Sequence, residues 1–262
     1  MTAPRRGANI TFMSDHIIVE RAGTVLEIRF NRPEKKNAIT NAMYGAMADA
    51  LESAASDDAV RVILFTANGD FFTAGNDLQD FAAQGAGTFT GPRHVNRFLP
   101  AVIAAEKPIV AAVQGHAVGV GATMLLHCDL IYIAHDARLT TPFVNLGLVP
   151  ENASSLTLPT RIGHAKAFAL LGLCEPMLGA DAAASGIANQ ALPAAEVEAR
   201  ARAAAAELAK KPPQALAITK RLLRSDVEAY LARMREEGEL FGERLKSPEA
   251  AAAFKAFFSK KN

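Results

Sequence analysis

Three groups of residues have the types and spacing to do chemistry together. Two are glycine-bearing turns, Thr73-Ala74-Gly75-Asn76 and Gly119-Val120-Gly121, and the third is a lone acid, Glu151, in LGLVPENASS. Glycine lets a backbone turn sharply and lets a ligand come close to peptide N–H groups. The second turn is expected to open a helix near Gly121, where unpaired N–H groups and the helix dipole favour developing negative charge. Two such turns from neighbouring strands could aim two amides at one oxygen, forming an oxyanion hole. They also read as ordinary tight turns of an α/β sheet. Glu151 follows a proline and precedes a polar run, with apolar residues before it; such surroundings raise a carboxyl pKa and suit a proton-transfer base. Its competing reading is a cap on a helix beginning near Ser154.

Other candidates read as structural. Asp77 and Asp80 suit turns and caps, and His116 and His127 suit a packed core. The six histidines never fall in HxxxH or HExxH spacing, and Cys128 and Cys174 lack CxxC spacing, so no metal site and no disulfide framework is expected. Gly119-Val120-Gly121 invites a dinucleotide-binding reading, but Met124 stands where the third glycine belongs. Asp129 lies at the start of the next strand, not at its end.

The elements that must position these groups follow from patterning. Ile17 to Phe30 gives two β-rich runs around Ala22-Gly23, a hairpin by turn chemistry, and Pro33 closes the second strand. Thr40 is an N-cap for a helix through about Ala55, with Met43, Met47, Ala50, Leu51 and Ala54 on one apolar face. Val60–Ala67, Ile109–Val113 and Leu130–Ala134 are nearly continuous apolar runs, the mark of strands buried on both faces. Gln84–Gly91 reads as a loop, followed by a helix over Arg93–Glu106 that Lys107-Pro108 ends. A βα alternation of this kind argues for an α/β core with helices outside.

Beyond Ala153 the strand signal fades. Helices are expected over Ser154–Ile162, His164–Leu171 and Asp181–Gly186, with a short strand near Ala188–Leu192. The remainder is helical, punctuated by Pro212-Pro213, Ser225 and Ser247-Pro248. Val227, Leu231, Met234 and Leu245 give one of these helices an apolar face of the sort that packs on a neighbouring subunit. The expected layout is a disordered tail over 1–16, a core with the site over 17–193, and a helical oligomerisation region over 194–262.

The bulk composition limits partners. The chain has 262 residues, 50% apolar and 21% charged, with a formal net charge of +1 and no basic block, so nucleic acid is not expected. No apolar run reaches the roughly 18 residues of a membrane span, and the N-terminus lacks a secretory apolar core. A soluble cytoplasmic protein is expected.

FNRPEKKNAIT, FFTAGNDL, AVGVGATMLLHCDLIYIAHDARLTTPF, NLGLVPENASS and AAFKAFFSKK, in that order and spacing, resemble the crotonase, or enoyl-CoA hydratase/isomerase, superfamily. The resemblance implies a spiral of ββα units with a C-terminal helical trimerisation region, usually in trimers or hexamers. It implies an acyl-CoA thioester as ligand, with coenzyme A part of the substrate and no separate cofactor. The oxyanion amides would belong to Ala74 and Val120. Lys35, Lys36 and, from a neighbouring subunit, Lys255 would meet the CoA phosphates. Gly75, Asn76, Asp77, Leu78, Gly119 and Phe143 would line the substrate site. The two glutamates of the family's hydratases are replaced here by Thr123 and Phe143, which leaves Glu151, in a setting similar to peroxisomal-type Δ3,Δ2-enoyl-CoA isomerases. The resemblance therefore implies an isomerase with one glutamate base. A hydratase, another thioester enzyme of the fold, or a non-catalytic acyl-CoA-binding protein are the alternatives.

Overall fold

The computed structural model describes residues 15–85, 88–224 and 226–259; the tail expected over 1–16 lies, as far as residue 14, outside the described residues. β1 (Ile17–Ala22) and β2 (Val25–Phe30) form the expected antiparallel hairpin, with Ala22 opposite Val25 and Gly23 at φ 64° in the turn. Thr40 caps α1 (Asn41–Ser56) by accepting the Met43 N–H, and all five expected apolar positions are buried. The helix carries the chain over to β3 (Val62–Ala67), which lies parallel to β2 and is buried at every position.

From β3 the chain enters β4 (Phe71–Thr73), a three-residue strand of a second sheet, and then α2 (Leu78–Gly85) and α3 (Val95–Ala104). The same step recurs: β5 (Ile109–Val113) leads to β6 (His116–Val118) and α4 (Val120–Thr123), which continues as a 3-10 turn over Met124–His127. Next, β7 (Leu130–Ala134) leads to β8 (Arg138–Thr140), α5 (Ser154–Ile162) and α6 (His164–Leu171). β9 (Met177–Leu178), α7 (Gly179–Ala184) and β10 (Gln190–Leu192) close the spiral. The long strands form one sheet, β1-β2-β3-β5-β7-β10, and the short ones a second, β4-β6-β8-β9. The first sheet is parallel except for the hairpin, and in the second only β9 runs antiparallel to its neighbour.

The architecture is the expected spiral of ββα units, and the short strands are its main departure from the sequence patterning. Both glycine turns follow short strands, β4 and β6, and not the long strands directly. Because β4 and β6 are hydrogen-bonded neighbours, their C-terminal turns lie side by side. α2 also occupies most of a stretch in which no helix is expected before Gln84.

The C-terminal helices are α8 (Ala194–Ala209), α9 (Pro213–Arg224), α10 (Val227–Leu245) and α11 (Pro248–Ser259). α8 packs across β3, β5 and β7, with Val197, Ala201, Ala204 and Ala205 buried; small side chains let it approach the sheet closely. Glu27, buried on β2, accepts from Thr66, Arg29 and Arg202, and Arg29 and Arg202 both reach Glu198, which ties α8 to the sheet. α10 packs on α3 and α5, and so forms one wall of the site. The core beneath it includes the rings of Phe30, Phe65, Phe72 and Phe98, each fully buried and worth roughly 2–3 kcal/mol of transfer free energy. Among the described residues no helix is long and apolar enough to cross a membrane.

Candidate active site

The first glycine turn is fixed from below by Asn37. This buried residue sits at φ 54° in the loop after Pro33 and donates Nδ2–H to the carbonyls of Asn68 (2.8 Å) and Phe71 (2.8 Å). Thr73 Oγ1 donates to Asn37 O (2.7 Å) and accepts from Gly75 N–H (3.0 Å). Gly75 has φ 83°, and a Cβ there would lie 2.7 Å from Val118 O, so the two turns touch backbone to backbone. Gly119, at φ 56° and ψ −120°, turns the chain into α4. A Cβ on Gly121 would lie 2.3 Å from Thr73 Cγ2, so this glycine too is required by the contact between the turns.

Only an amide without an acceptor in the fold is available to a ligand. Ala74, the donor expected from the family pattern, gives its N–H to Lys36 O at 2.9 Å. Its amide is spent on holding the basic loop. On either side of Asn76, Ile39 N–H donates to Gly75 O and Asp77 N–H to Ile39 O, a parallel bridge that leaves the Asn76 N–H without an acceptor among the described residues. Val120, the other expected donor, opens α4: Ala122 and Thr123 return their N–H groups to Gly119 O, while the Val120 N–H has no acceptor among the described residues. The free pair is therefore Asn76 and Val120, and the expectation at Ala74 is corrected by two residues.

Glu151 is 8% exposed, and its Oε1 has no hydrogen-bond partner. It precedes two non-glycine residues in the left-handed region, Asn152 (φ 63°) and Ala153 (φ 55°), a conformation that only surrounding contacts can hold. One such contact is His127 Nε2 on Asn152 O (2.7 Å); burial pushes the His127 pKa down to about 3, so the ring is neutral and donates Nε2–H. The capping reading of Glu151 does not hold, because Ala153 is the N-cap of α5 and no side chain caps it from that position. Instead Glu237, from α10, accepts the Ser155 N–H at 2.9 Å. The Glu151 carboxyl is left free and its pKa is pushed up to about 8, first by burial and then by the negative charge of Glu237.

Two cavity lobes, of about 490 and 610 Å³, meet at Glu151; Asn76, Asp77, Phe81 and Phe241 line both. The smaller lobe opens at Arg32, Lys35 and Lys36, and is walled by Ala74, Gly75, Leu78, Gly119, Phe143, Leu146 and Leu148. The larger runs between α1, α3 and α10 past Tyr44, Leu99, Leu231 and Met234. Phe241 packs edge-on against Phe81 (5.8 Å) and Phe143 (6.3 Å), forming the waist between them. Tyr44 donates its hydroxyl to Asn76 Oδ1 (2.6 Å) and so fixes the side chain of the residue whose amide is free.

Of the expected site residues, Asp77 lines both lobes but is held by Arg32 at 2.6 Å, which keeps its carboxyl below the ordinary range despite partial burial; it also accepts the Gln79 N–H. Lys255 is exposed on α11 and lines neither lobe of its own chain. Thr123 is buried and donates to Val120 O, outside both lobes. Sequence patterning misses Tyr44, Phe241 and Glu237. Phe241 and Glu237 share the helical face of Leu231, Met234 and Leu245 at spacings of three, four and seven; an acid on an apolar face was the available signal. Tyr44 carries no such signal, since it merges with the buried face of α1.

Asn76, whose amide is unpaired, lines both lobes with Glu151; Val120 lines neither and adjoins Gly119, which lines the smaller one. Two such amides and a buried, protonatable carboxyl can stabilise an enolate and move a proton. The family described as Enoyl-CoA hydratase/isomerase matches residues 20–262. The chain belongs to the enoyl-CoA hydratase/isomerase family. Relatives include Enoyl-CoA delta isomerase 2 of Rattus norvegicus, 36% identical over 228 residues, which cover 86% of this chain and 58% of the rat protein. Another is a probable enoyl-CoA hydratase of Bacillus subtilis, 33% identical, covering 86% of this chain and 89% of that protein. The chain thus spans less than two thirds of the rat isomerase but most of the bacterial relative. Among solved structures, Pseudomonas aeruginosa OdaA superposes with a TM-score of 0.89 at 47% identity, covering 93% of this chain and 99% of the other. An enoyl-CoA hydratase/isomerase from Pseudoalteromonas atlantica gives the same score at 41% identity, covering 94% and 98%. Both likenesses support the crotonase fold. Relatives in this family carry both the isomerase and the hydratase name.

Proposed function

We propose that this chain is a Δ3,Δ2-enoyl-CoA isomerase, acting on an acyl-CoA thioester with Glu151 as its single acid-base group. The observation that carries the reading is Glu151 itself: the one buried carboxyl lining both lobes with an unpartnered oxygen, among the described residues. The other acids in the lining are engaged or exposed. Asp77 pairs with Arg32, Asp80 accepts the Asn41 N–H, and Glu34 and Glu239 face solvent.

In this reading the thioester oxygen lies against the Asn76 and Val120 amides, which lowers the cost of a dienolate. Glu151 removes a proton from C2, the negative charge moves onto the oxygen, and the C3–C4 double bond shifts as the same carboxyl returns the proton to C4. One carboxyl suffices because C2 and C4 flank C3 on one side of it, whereas hydration must also position water. With a pKa near 8, Glu151 is mostly protonated at pH 7, but its ionised form is a stronger base toward an α-proton than an ordinary carboxylate. Phe143, Leu146 and Leu148 wall the smaller lobe and limit the access of water.

Arg32, Lys35 and Lys36 at the mouth suit the CoA phosphates. In a homotrimer or homohexamer, Lys255 of a neighbouring copy would join them. The acyl tail would occupy the larger lobe, between α1, α3 and α10.

Ultraviolet absorbance tests the reading. Conjugation of 3-hexenoyl-CoA should raise absorbance with the wild type, and Glu151→Gln should slow that rise by about 10²–10⁴-fold while acyl-CoA binding persists. A Glu151→Gln protein that isomerises near the wild-type rate overturns it. Loss of absorbance from crotonyl-CoA would mark a hydratase, and no change with either thioester would favour a binding protein.

A further inference from the structure

Buried polar atoms without a hydrogen-bond partner are concentrated at the start of α5. Six are present among the described residues, and five of them belong to Glu151 (Oε1), Asn152 (Oδ1 and Nδ2), Ser154 (Oγ) and Glu237 (Oε2). Each such atom costs about 1–3 kcal/mol. A cluster of them, bordering the one free carboxyl of the site and on backbone held in the left-handed region, is not what packing alone selects.

We propose that Glu237 is a positioning residue for Glu151: a second buried carboxylate, anchored on the first amides of α5, whose charge keeps the Glu151 carboxyl able to hold the proton it transfers. The inference rests on the isomerase reading. Glu237 lies on α10, lines neither lobe, and cannot touch substrate. Its Oε1 is fixed by the Ser155 N–H, and its Oε2 is buried and free. The chain therefore delivers a carboxylate from 82 residues away to the back of the loop that carries Glu151.

The two acids are not equivalent. Burial raises both, but Glu237 is drawn down by the amides of Ser155 and Ala153 and by Arg233. Glu151 has no such donors. With those donors Glu237 is the more acidic of the two, and Glu151 ionises against its negative charge. The charged and titratable groups around the pair are Arg233, Arg93 and Arg235, the last two in the lining of the larger lobe, and His127, Tyr44, Arg97 and Arg244. Arg233 on the same helix is shared with Glu236 and Ser155 Oγ. His127, beneath Asn152, is neutral, and Tyr44 on α1 is held neutral well above its ordinary pKa. From α3, Arg97 is committed to Asp49 and Glu52; beside α11, Arg244 is committed to Glu249. An ordinary carboxylate would be a weak base toward a thioester α-proton, so a charge placed behind Glu151 and out of reach of substrate strengthens the base without adding a second acid.

Glu237→Gln tests this because it keeps an acceptor for the Ser155 N–H and removes only the charge. The acid limb of kcat/KM for 3-hexenoyl-CoA should move down by roughly one pH unit, with KM little changed. A role confined to holding α5 would alter thermal stability and leave that limb where it is; an unmoved limb in a folded variant overturns the proposal. Should Glu237→Gln not fold, infrared difference titration of the wild type should show two buried carboxyl steps, the upper one absent from Glu151→Gln. If the step lost in Glu151→Gln lies in the ordinary carboxylate range, the proposal fails. The infrared result is independent of turnover, so a wild type that fails to conjugate 3-hexenoyl-CoA would overturn the isomerase reading without deciding this one.

Discussion

Glu151 is placed at a cost to the fold. Folded, its carboxyl keeps a proton up to about pH 8, whereas the ordinary value is 4.5, so between those limits the folded state binds the proton that the unfolded chain has released. Stability contributed by this group is therefore lost as pH rises through that window. Glu151→Gln, which cannot ionise, should be more stable than the wild type at pH 8.5 by roughly 4–5 kcal/mol and nearly equal to it at pH 4.5. Thermal unfolding at the two pH values checks this; an equal difference at both would mean that Glu151 is not ionising in a buried setting. The acid was legible in the sequence as a lone carboxyl after a proline in an apolar approach, sharpened by the absence of acids at Thr123 and Phe143. The amide donors were less so. Glycine content marks a turn, but whether Ala74 or Asn76 has the free N–H depends on where Lys36 O and Ile39 fall in space, and no local pattern carries that.

At the scale of elements, the site depends on two short strands that bring two turns into contact. Gly75→Ala should lower activity by at least about tenfold and reduce thermal stability, because the new Cβ would meet Val118 O at 2.7 Å in a backbone at φ 83°. Activity and unfolding of the variant, measured with Gly23→Ala as a control, would separate the contact from the backbone angle, since Gly23 has a positive φ but open space around it. The long strands were legible as apolar runs, and α1 from its cap and spacing. β4, β6, β8 and β9 were not, since two or three residues cannot show an alternation and their pairing is fixed by the long strands before them. α10 was legible as an amphipathic helix, but what its face covers was not. Phe241 and Glu237 acquire their roles only where α10 crosses α5.

Across the whole molecule, the helical region divides. α8 is part of the core, held by its small buried residues and by the Glu27, Arg29, Glu198 and Arg202 cluster, although composition groups it with the helices that follow. α9 instead exposes Ile218, Leu222 and Leu223, the last two 73% and 81% exposed, a group of large apolar side chains on one short helix. The proposed trimer or hexamer would cover such a face. Leu222→Glu with Leu223→Glu should then shift sedimentation toward the monomer, and an unchanged sedimentation coefficient would exclude this face from the assembly. The overall spiral was legible because the order of motifs is preserved along the chain; which faces meet in an assembly is a property of several chains and leaves no periodic mark in one.

In the proposed reaction one carboxyl carries a proton from C2 to C4 of the same substrate. The most direct measurement is turnover of 3-hexenoyl-CoA bearing deuterium at C2, with the product read by mass spectrometry and NMR. The wild type should give a conjugated product with no added water and deuterium delivered to C4, and Glu151→Gln no such product; a product carrying the elements of water, or label transfer that survives Glu151→Gln, would exclude a single-carboxyl proton shift.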